Sequence, residues 1–273
     1  MTTHKAPPEP PSQAHYEPSR RQAVAPITFG QRAWAFVREL LIVVIGAVVV
    51  SSLLRAFVGQ MFIIPSQSME NTLLVGDRVV VQKITDFQRG DVVVFSDPGG
   101  WLDEAPVADP PPWDKVLEFI GLPTQSTPGH LIKRVIGLPG DKVVCCNSKG
   151  RITVNGYPLD ERSYLYTDPD GVQVKPSEVK FEVVVPEDRI FVMGDHRDLS
   201  ADSRCHLSDL STRQGKGQVA FVPISLVVGP AFAIAAPFDR AGRMERPATF
   251  AEVPAAKKPA PERAVIKPAG VSC

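Results

Sequence analysis

The chain has 273 residues, 44% hydrophobic and 22% charged, with thirty basic and thirty acidic residues that cancel to a formal charge of +0. This composition supports a packed core and excludes a wholly disordered chain, and the missing basic excess argues against nucleic acid as the main partner. Four cysteines without CxxC spacing exclude a disulfide scaffold and give no metal-ligand pattern, so neither a metal nor another cofactor is expected.

Residues 1–39 are predicted to be a disordered cytoplasmic segment, rich in Pro, Gln, Ser and Ala over its first thirty positions. From Leu40 to Gln60 the sequence reads LLIVVIGAVVVSSLLRAFVGQ, without a charge before Arg55. About 20 residues at 1.5 Å each span roughly 30 Å, the thickness of a bilayer core. An apolar run with no polar side suits a lipid bilayer better than a globular surface. No A-x-A cleavage site follows, so the segment reads as a signal anchor and not a removable leader. Lys5, Arg20, Arg21, Arg32 and Arg38 precede it and place the N-terminus in the cytoplasm by the positive-inside rule. Residues 61–238 then lie outside the cytoplasm, and the protein is single-pass in the cell membrane.

Residues 61–238 read as strands. Arg78–Gln82 and Asp91–Phe95 are Val-rich runs bounded by Gly and Pro, and Asp141–Cys145 continues the pattern. Asn155-Gly156 between Ile152–Val154 and Tyr157–Leu159 signals a hairpin with a type I′ turn. Val183–Pro186 and Ile190–Met193 give two more strands. Phe221–Phe238 is apolar but cut by Pro223, Gly229 and Pro230, which suits buried strands and turns and not a second span. The fold class is mainly β: one transmembrane helix, then an antiparallel sheet or barrel. Residues 97–130, rich in Pro, are expected to be an inserted surface loop, and about 145–190 a cap-like subdomain. Residues 239–273, with Pro, Ala and Lys throughout, are predicted to be a second disordered tail.

Three islands carry residues with little structural reason to be there. They are Ile64–Leu73 (IPSQSMENTL), Lys133–Asp141 (KRVIGLPGD) and Met193–Arg204 (MGDHRDLSADSR). A Ser in a Pro-Ser-x-Ser loop is usually a turn residue, and a strand Lys is usually solvated. Asp195, Asp198 and Asp202 could be oxygen ligands of a metal, but Arg197 and Arg204 stand among them and favour a salt-bridge knot.

Taken together with the preceding apolar segment, the islands resemble type I signal peptidases, the bacterial leader peptidases. The resemblance covers roughly residues 40–235 and includes RGDVVVF at Arg89–Phe95; His196 and the Cys145-Cys146 pair resemble the actinobacterial branch. It implies a membrane-anchored serine endopeptidase that removes signal peptides from exported preproteins after small residues at −1 and −3. Its partners would be those signal peptides, the lipid bilayer and the nearby export machinery. It implies a Ser/Lys dyad, with Ser68 as nucleophile and Lys133 as general base. Ser66 matches the oxyanion-hole serine, which works with the Ser68 backbone N–H; Ser200 matches the serine that orients the base, and Asp202 and Arg204 a supporting ion pair. Phe62, Ile64, Pro65, Met69, Leu73 and Ile132 match the substrate-pocket wall. The chain departs from many members at Gln67, Asn71 and His196.

An ammonium of pKa near 10.4 is useless as a base at neutral pH, so this chemistry needs Lys133 to be desolvated. Ile132 and Met69 are the candidate apolar wall. A Ser68/His196/Asp195 triad is the competing catalytic arrangement, although no GxSxG elbow is present. A non-catalytic anchored β-domain that binds exported proteins would need neither Ser68 nor Lys133. A self-cleaving repressor would be cytoplasmic and carry a DNA-binding domain. For the cysteines two readings stand: one of Cys145 and Cys146 bridges Cys205, or all are free, with Cys273 unpaired in either case.

Overall fold

The computed structural model describes residues 29–57, 59–102, 129–212 and 215–267. The first element is an α-helix, α1, at Phe29–Phe57. Its part Arg32–Ser51 is long and apolar enough to cross a membrane by length and composition. The sequence predicts a helix over 40–60, but α1 begins at Phe29 and ends at Phe57. Residues 31–39 (QRAWAFVRE) contain neither Gly nor Pro and continue the helix toward the N-terminus. At the other end Gly59 already opens a strand.

Thirteen strands follow among the described residues: β1 (Gly59–Ile63), β2 (Arg78–Gln82), β3 (Val92–Ser96), β4 (His130–Gly137), β5 (Lys142–Cys145), β6 (Thr153–Val154), β7 (Tyr157–Pro158), β8 (Phe181–Val184), β9 (Arg189–Met193), β10 (Val222–Pro223), β11 (Val227–Ala236), β12 (Gly242–Arg243) and β13 (Val265–Lys267). They form two sheets with antiparallel pairing. The larger has the order β1-β2-β11-β3-β4-β9-β10, with β12 on β11; the smaller runs β13-β8-β5-β6-β7. The mainly β expectation therefore holds. The β6–β7 turn has Asn155 at φ 53° and Gly156 at φ 87°, as a type I′ turn requires.

The Val-rich run of β3 is apolar at successive positions because both faces of the larger sheet are covered. Val92 and Val94 pack with Phe62, Ile64, Met69, Leu73 and Ile132 on one face. Val93 and Phe95 pack with Val135, Ile190 and Val192 on the other. A third cluster joins Ile136, Phe191 and Met193 of the larger sheet to Val143, Phe181 and Val183 of the smaller.

Two expectations need correction. Residues 239–267 are not a disordered tail. Arg240 pairs with Asp77, β12 adds to β11, Phe250 is buried in the third cluster, and β13 pairs with β8. A few apolar side chains (Phe250, Val253, Ile266) supply the anchoring burial, and the Pro, Ala and Lys around them hide this in the average composition. Residues 268–273 lie outside the described residues. The cysteine readings also fail: Cys145 is disulfide-bonded to Cys146, and Cys205 is disulfide-bonded as well. Strand β5 ends at Cys145, so strand alternation does not hold the two side chains apart.

Of the predicted insertion, 103–128 lies outside the described residues. Its entry is anchored. Asp97 accepts the N–H groups of Gly99, Trp101 and Leu102, and Trp101 is buried, with its Nε1 donating to the Val219 carbonyl.

Candidate active site

Ser68 sits in a single 3₁₀ turn, Gln67–Met69, between β1 and β2. Met69 and Leu73 are fully buried and fix the turn to the sheet. Lys133 lies on β4, paired with Val93 of β3, and is buried. The two meet with Lys133 Nζ 2.8 Å from Ser68 Oγ. Nζ also donates to the Ile132 carbonyl at 3.1 Å, and Ser66 Oγ is 3.3 Å from Ser68 Oγ. As the second residue of the turn, Ser68 carries an N–H without an intrahelical acceptor.

Lys133 is 4% exposed. Burial pushes its pKa from 10.5 down to about 8, against the pull of Asp202 and Asp195 and with some help from Arg204. A neutral amine is therefore accessible near physiological pH, and it can accept the Ser68 proton.

Asp202 and Arg204 form the expected ion pair, with Arg204 Nε and Nη2 on the carboxylate at 2.9 and 2.8 Å. Burial alone would raise Asp202, but Arg204 and the Gly194 N–H hold it below the ordinary carboxylate range. Ser200 takes a different place from the one expected. Its hydroxyl donates to Asp202 at 2.8 Å, whereas Lys133 Nζ bonds Ser68 and the Ile132 carbonyl. The one proton of Ser200 goes to the carboxylate, the stronger acceptor, and Asp202 in turn acts on Lys133 through its charge.

Gly194 separates these groups. A Cβ there would lie 2.2 Å from Ser200 Oγ and 2.5 Å from the Ser68 carbonyl, so the close approach requires glycine.

The His triad does not form. Asp195 is a buried bidentate partner of Arg134 and accepts from Thr72 Oγ1. His196 turns its Nδ1 to Glu70 and its Nε2 to Asp198. The acidic loop is a salt-bridge knot, but of the expected pairs only Arg204–Asp202 forms: Arg197 pairs with Glu161, Asp195 with Arg134 and Asp198 with His196.

Beside the dyad runs a cleft of about 150 Å³. Four of the expected wall residues line it: Phe62, Ile64, Pro65 and Ile132. Met69 and Leu73 do not; they lie beneath it with no exposure. Alternation explains the difference only in part, because turn residues of unknown geometry have no sequence-readable face. Val94, Leu102, His130 and Leu131 also line the cleft. The antiparallel pairing Val94↔Ile132 supplies one of them, a long-range register that sequence does not display.

The family described as "Signal peptidase, peptidase S26" matches residues 37–236. A signal peptidase I of Mycobacterium tuberculosis is 37% identical over 227 residues, covering 75% of this chain and 74% of that protein. A probable signal peptidase I of Mycobacterium leprae is 33% identical over 255 residues, 83% of this chain and 81% of its own. A signal peptidase I of Bacillus licheniformis is 32% identical over 191 residues, 67% of this chain and 87% of its own.

Proposed function

This chain belongs to the signal peptidase family, peptidase S26, and we propose that it removes signal peptides from exported preproteins with Ser68 as nucleophile and Lys133 as general base. The observation that carries the assignment of roles is the 2.8 Å contact between a buried, pKa-lowered lysine and a serine hydroxyl.

The steps follow from this geometry. Neutral Lys133 takes the proton of Ser68 as Oγ attacks the carbonyl carbon of the scissile bond. The negative charge moves to the carbonyl oxygen, to which the Ser66 hydroxyl and the Ser68 N–H donate in this reading. The intermediate collapses, the C–N bond breaks, and the Lys133 ammonium gives its proton to the leaving amine. Lys133, neutral again, activates a water that hydrolyses the acyl-enzyme and restores Ser68. The Asp202–Arg204 pair holds the loop behind the base and sets part of its electrostatic environment.

The narrow apolar cleft favours small side chains at −1 and −3, because larger ones clash. An extended substrate can add as a strand beside Ser66 and Ile132 through main-chain hydrogen bonds. The apolar helix α1 and the basic residues before it support a single-pass anchor, a cytoplasmic N-terminus and a catalytic domain outside. Lipid bilayer and export machinery are the partners this placement implies.

The test is cleavage of a synthetic preprotein by the purified full-length enzyme beside Ser68→Ala. Release of mature protein by the wild type alone supports the assignment. Equal cleavage by Ser68→Ala sinks it.

A further inference from the structure

The turn that carries Ser68 is held from outside the dyad by two consecutive residues of the loop after β9. Asp195 accepts the Thr72 hydroxyl at 2.5 Å. His196 makes two contacts. Its backbone N–H donates to the Ser68 carbonyl at 3.1 Å, and its Nδ1 lies 2.9 Å from Glu70 Oε2. A carboxylate only accepts, so Nδ1 carries the proton in this bond. The other Glu70 oxygen accepts from Gln67 Nε2 at 3.2 Å, on the opposite side of Ser68 in sequence. Glu70 thus ties the first residue of the turn to the imidazole of the residue whose backbone N–H holds its middle. The imidazole itself has little freedom. It is stacked on Tyr166 with centroids 3.8 Å apart, its Nε2 is 3.3 Å from Asp198, and the residue is 5% exposed.

We infer that His196 and Glu70 form a clasp that positions the nucleophile: the pair fixes the 3₁₀ turn so that Ser68 Oγ faces Lys133 and the Ser68 N–H faces the developing oxyanion. His196 touches neither substrate nor the reacting atoms, so it is a positioning residue. The inference rests on the reading of Ser68 as nucleophile. A turn of three residues has too few internal hydrogen bonds to hold one geometry alone. Small displacements of a nucleophile cost large factors in rate, because attack needs aligned atoms near contact distance. The clasp therefore acts on kcat and leaves the cleft, and so KM, nearly unchanged.

The experiment measures kcat and KM of the full-length, detergent-solubilised enzyme on a preprotein-derived peptide. The variants are Ser68→Ala, His196→Ala, His196→Asn, Glu70→Ala and the double Glu70→Ala/His196→Ala. Asn places an amide N–H near the Nδ1 position and can restore the donor. The expected result is a kcat loss of about tenfold in each alanine single, with KM within about twofold. The double variant should be no slower than the slower single, since both changes break one interaction. His196→Asn should recover most of the rate, which a loss of folding would not allow. Singles within about twofold of wild-type kcat, losses that multiply to about a hundredfold in the double, or no recovery in His196→Asn would each overturn the clasp. Cleavage that persists in Ser68→Ala would instead overturn the nucleophile assignment, a separate outcome read in the same assay.

Discussion

The charge pair behind Lys133 allows a test in which two neighbouring substitutions should move one pH limb in opposite directions. Burial takes Lys133 from 10.5 to about 8. That difference corresponds to about 3 kcal/mol and raises the neutral fraction at pH 7 from about 0.03% to about 9%. Asp202 is the strongest influence favouring the ammonium, and Arg204 opposes it. Asp202→Asn removes the first and leaves the second uncancelled, so the pKa falls. A nearby carboxylate accounts for about one to three pH units; with a fall of about one, the midpoint reaches about 7 and half the amine is neutral at pH 7. Arg204→Gln leaves Asp202 unopposed, so the pKa rises; a rise of about one puts the midpoint near about 9 and the neutral fraction near about 1%. The assay is kcat/KM on a peptide with Ala at −1 and −3, over about pH 5 to 10. Total activity is expected to fall in both variants, because Asp202 also holds Ser200 and the Gly194 N–H, but the limb position is independent of amplitude. Water entering a loosened site would push both limbs upward. Movement of both in one direction, or of neither, would refute the assignment of the limb to Lys133 and its charge environment.

Ser66→Ala should lower kcat by about 10²–10³ with little change in KM, because the oxyanion develops only in the transition state; a raised KM at unchanged kcat would show that Ser66 shapes the cleft instead. Gly194→Ala must displace either Ser200 or the Ser68 carbonyl, so the expected outcome is at least about a hundredfold loss of kcat; a nearly active variant would show that the site tolerates this shift. Lys133→Met should abolish cleavage and stabilise the fold at neutral pH. Between pH 10.5 and about 8 the unfolded chain binds a proton that the native state refuses. Wild-type stability therefore rises with pH through this window, and below it the full cost of about 3 kcal/mol is present. Denaturant unfolding should show a gain in the Met variant at pH 7 that shrinks toward pH 10.5, and a gain independent of pH would mean that the lysine is not desolvated.

The dyad was legible because its chemistry demands particular side chains in two short islands, and PSQSM and KRVIGLPGD carry both in order. The Asp202–Arg204 pair was legible for the same reason. Ser200 was legible as a residue but not as a contact, since the loop conformation that turns its hydroxyl to Asp202 is not written in the motif. The cleft was half legible. Phe62 and Ile64 precede the nucleophile along one strand and turn, while Val94 enters only through the register of β3 on β4. The Glu70–His196 bond joins residues 126 positions apart, and neither stands in a motif that predicts the other. The last described stretch was misread because its many Pro, Ala and Lys residues outvote Phe250, Val253 and Ile266 in any average, although a few buried side chains suffice to anchor a segment.

The place of β11 has a consequence for how the molecule comes into being. It lies between β2 and β3 in the larger sheet, so two strands made early remain apart until the chain has been synthesised to Ala236. Arg240, which holds Asp77 next to the nucleophile turn, comes later still. Pairings this distant carry a large loop-closure entropy and slow the search for the native sheet. For a chain that emerges N-terminus first, activity then waits on β11 and the segment that follows it. A nascent chain halted before β11 should lack cleavage despite containing every dyad residue, and release of the remaining segment should switch it on within the time of folding. Cleavage by the halted chain would show that β2 and β3 need no partner between them.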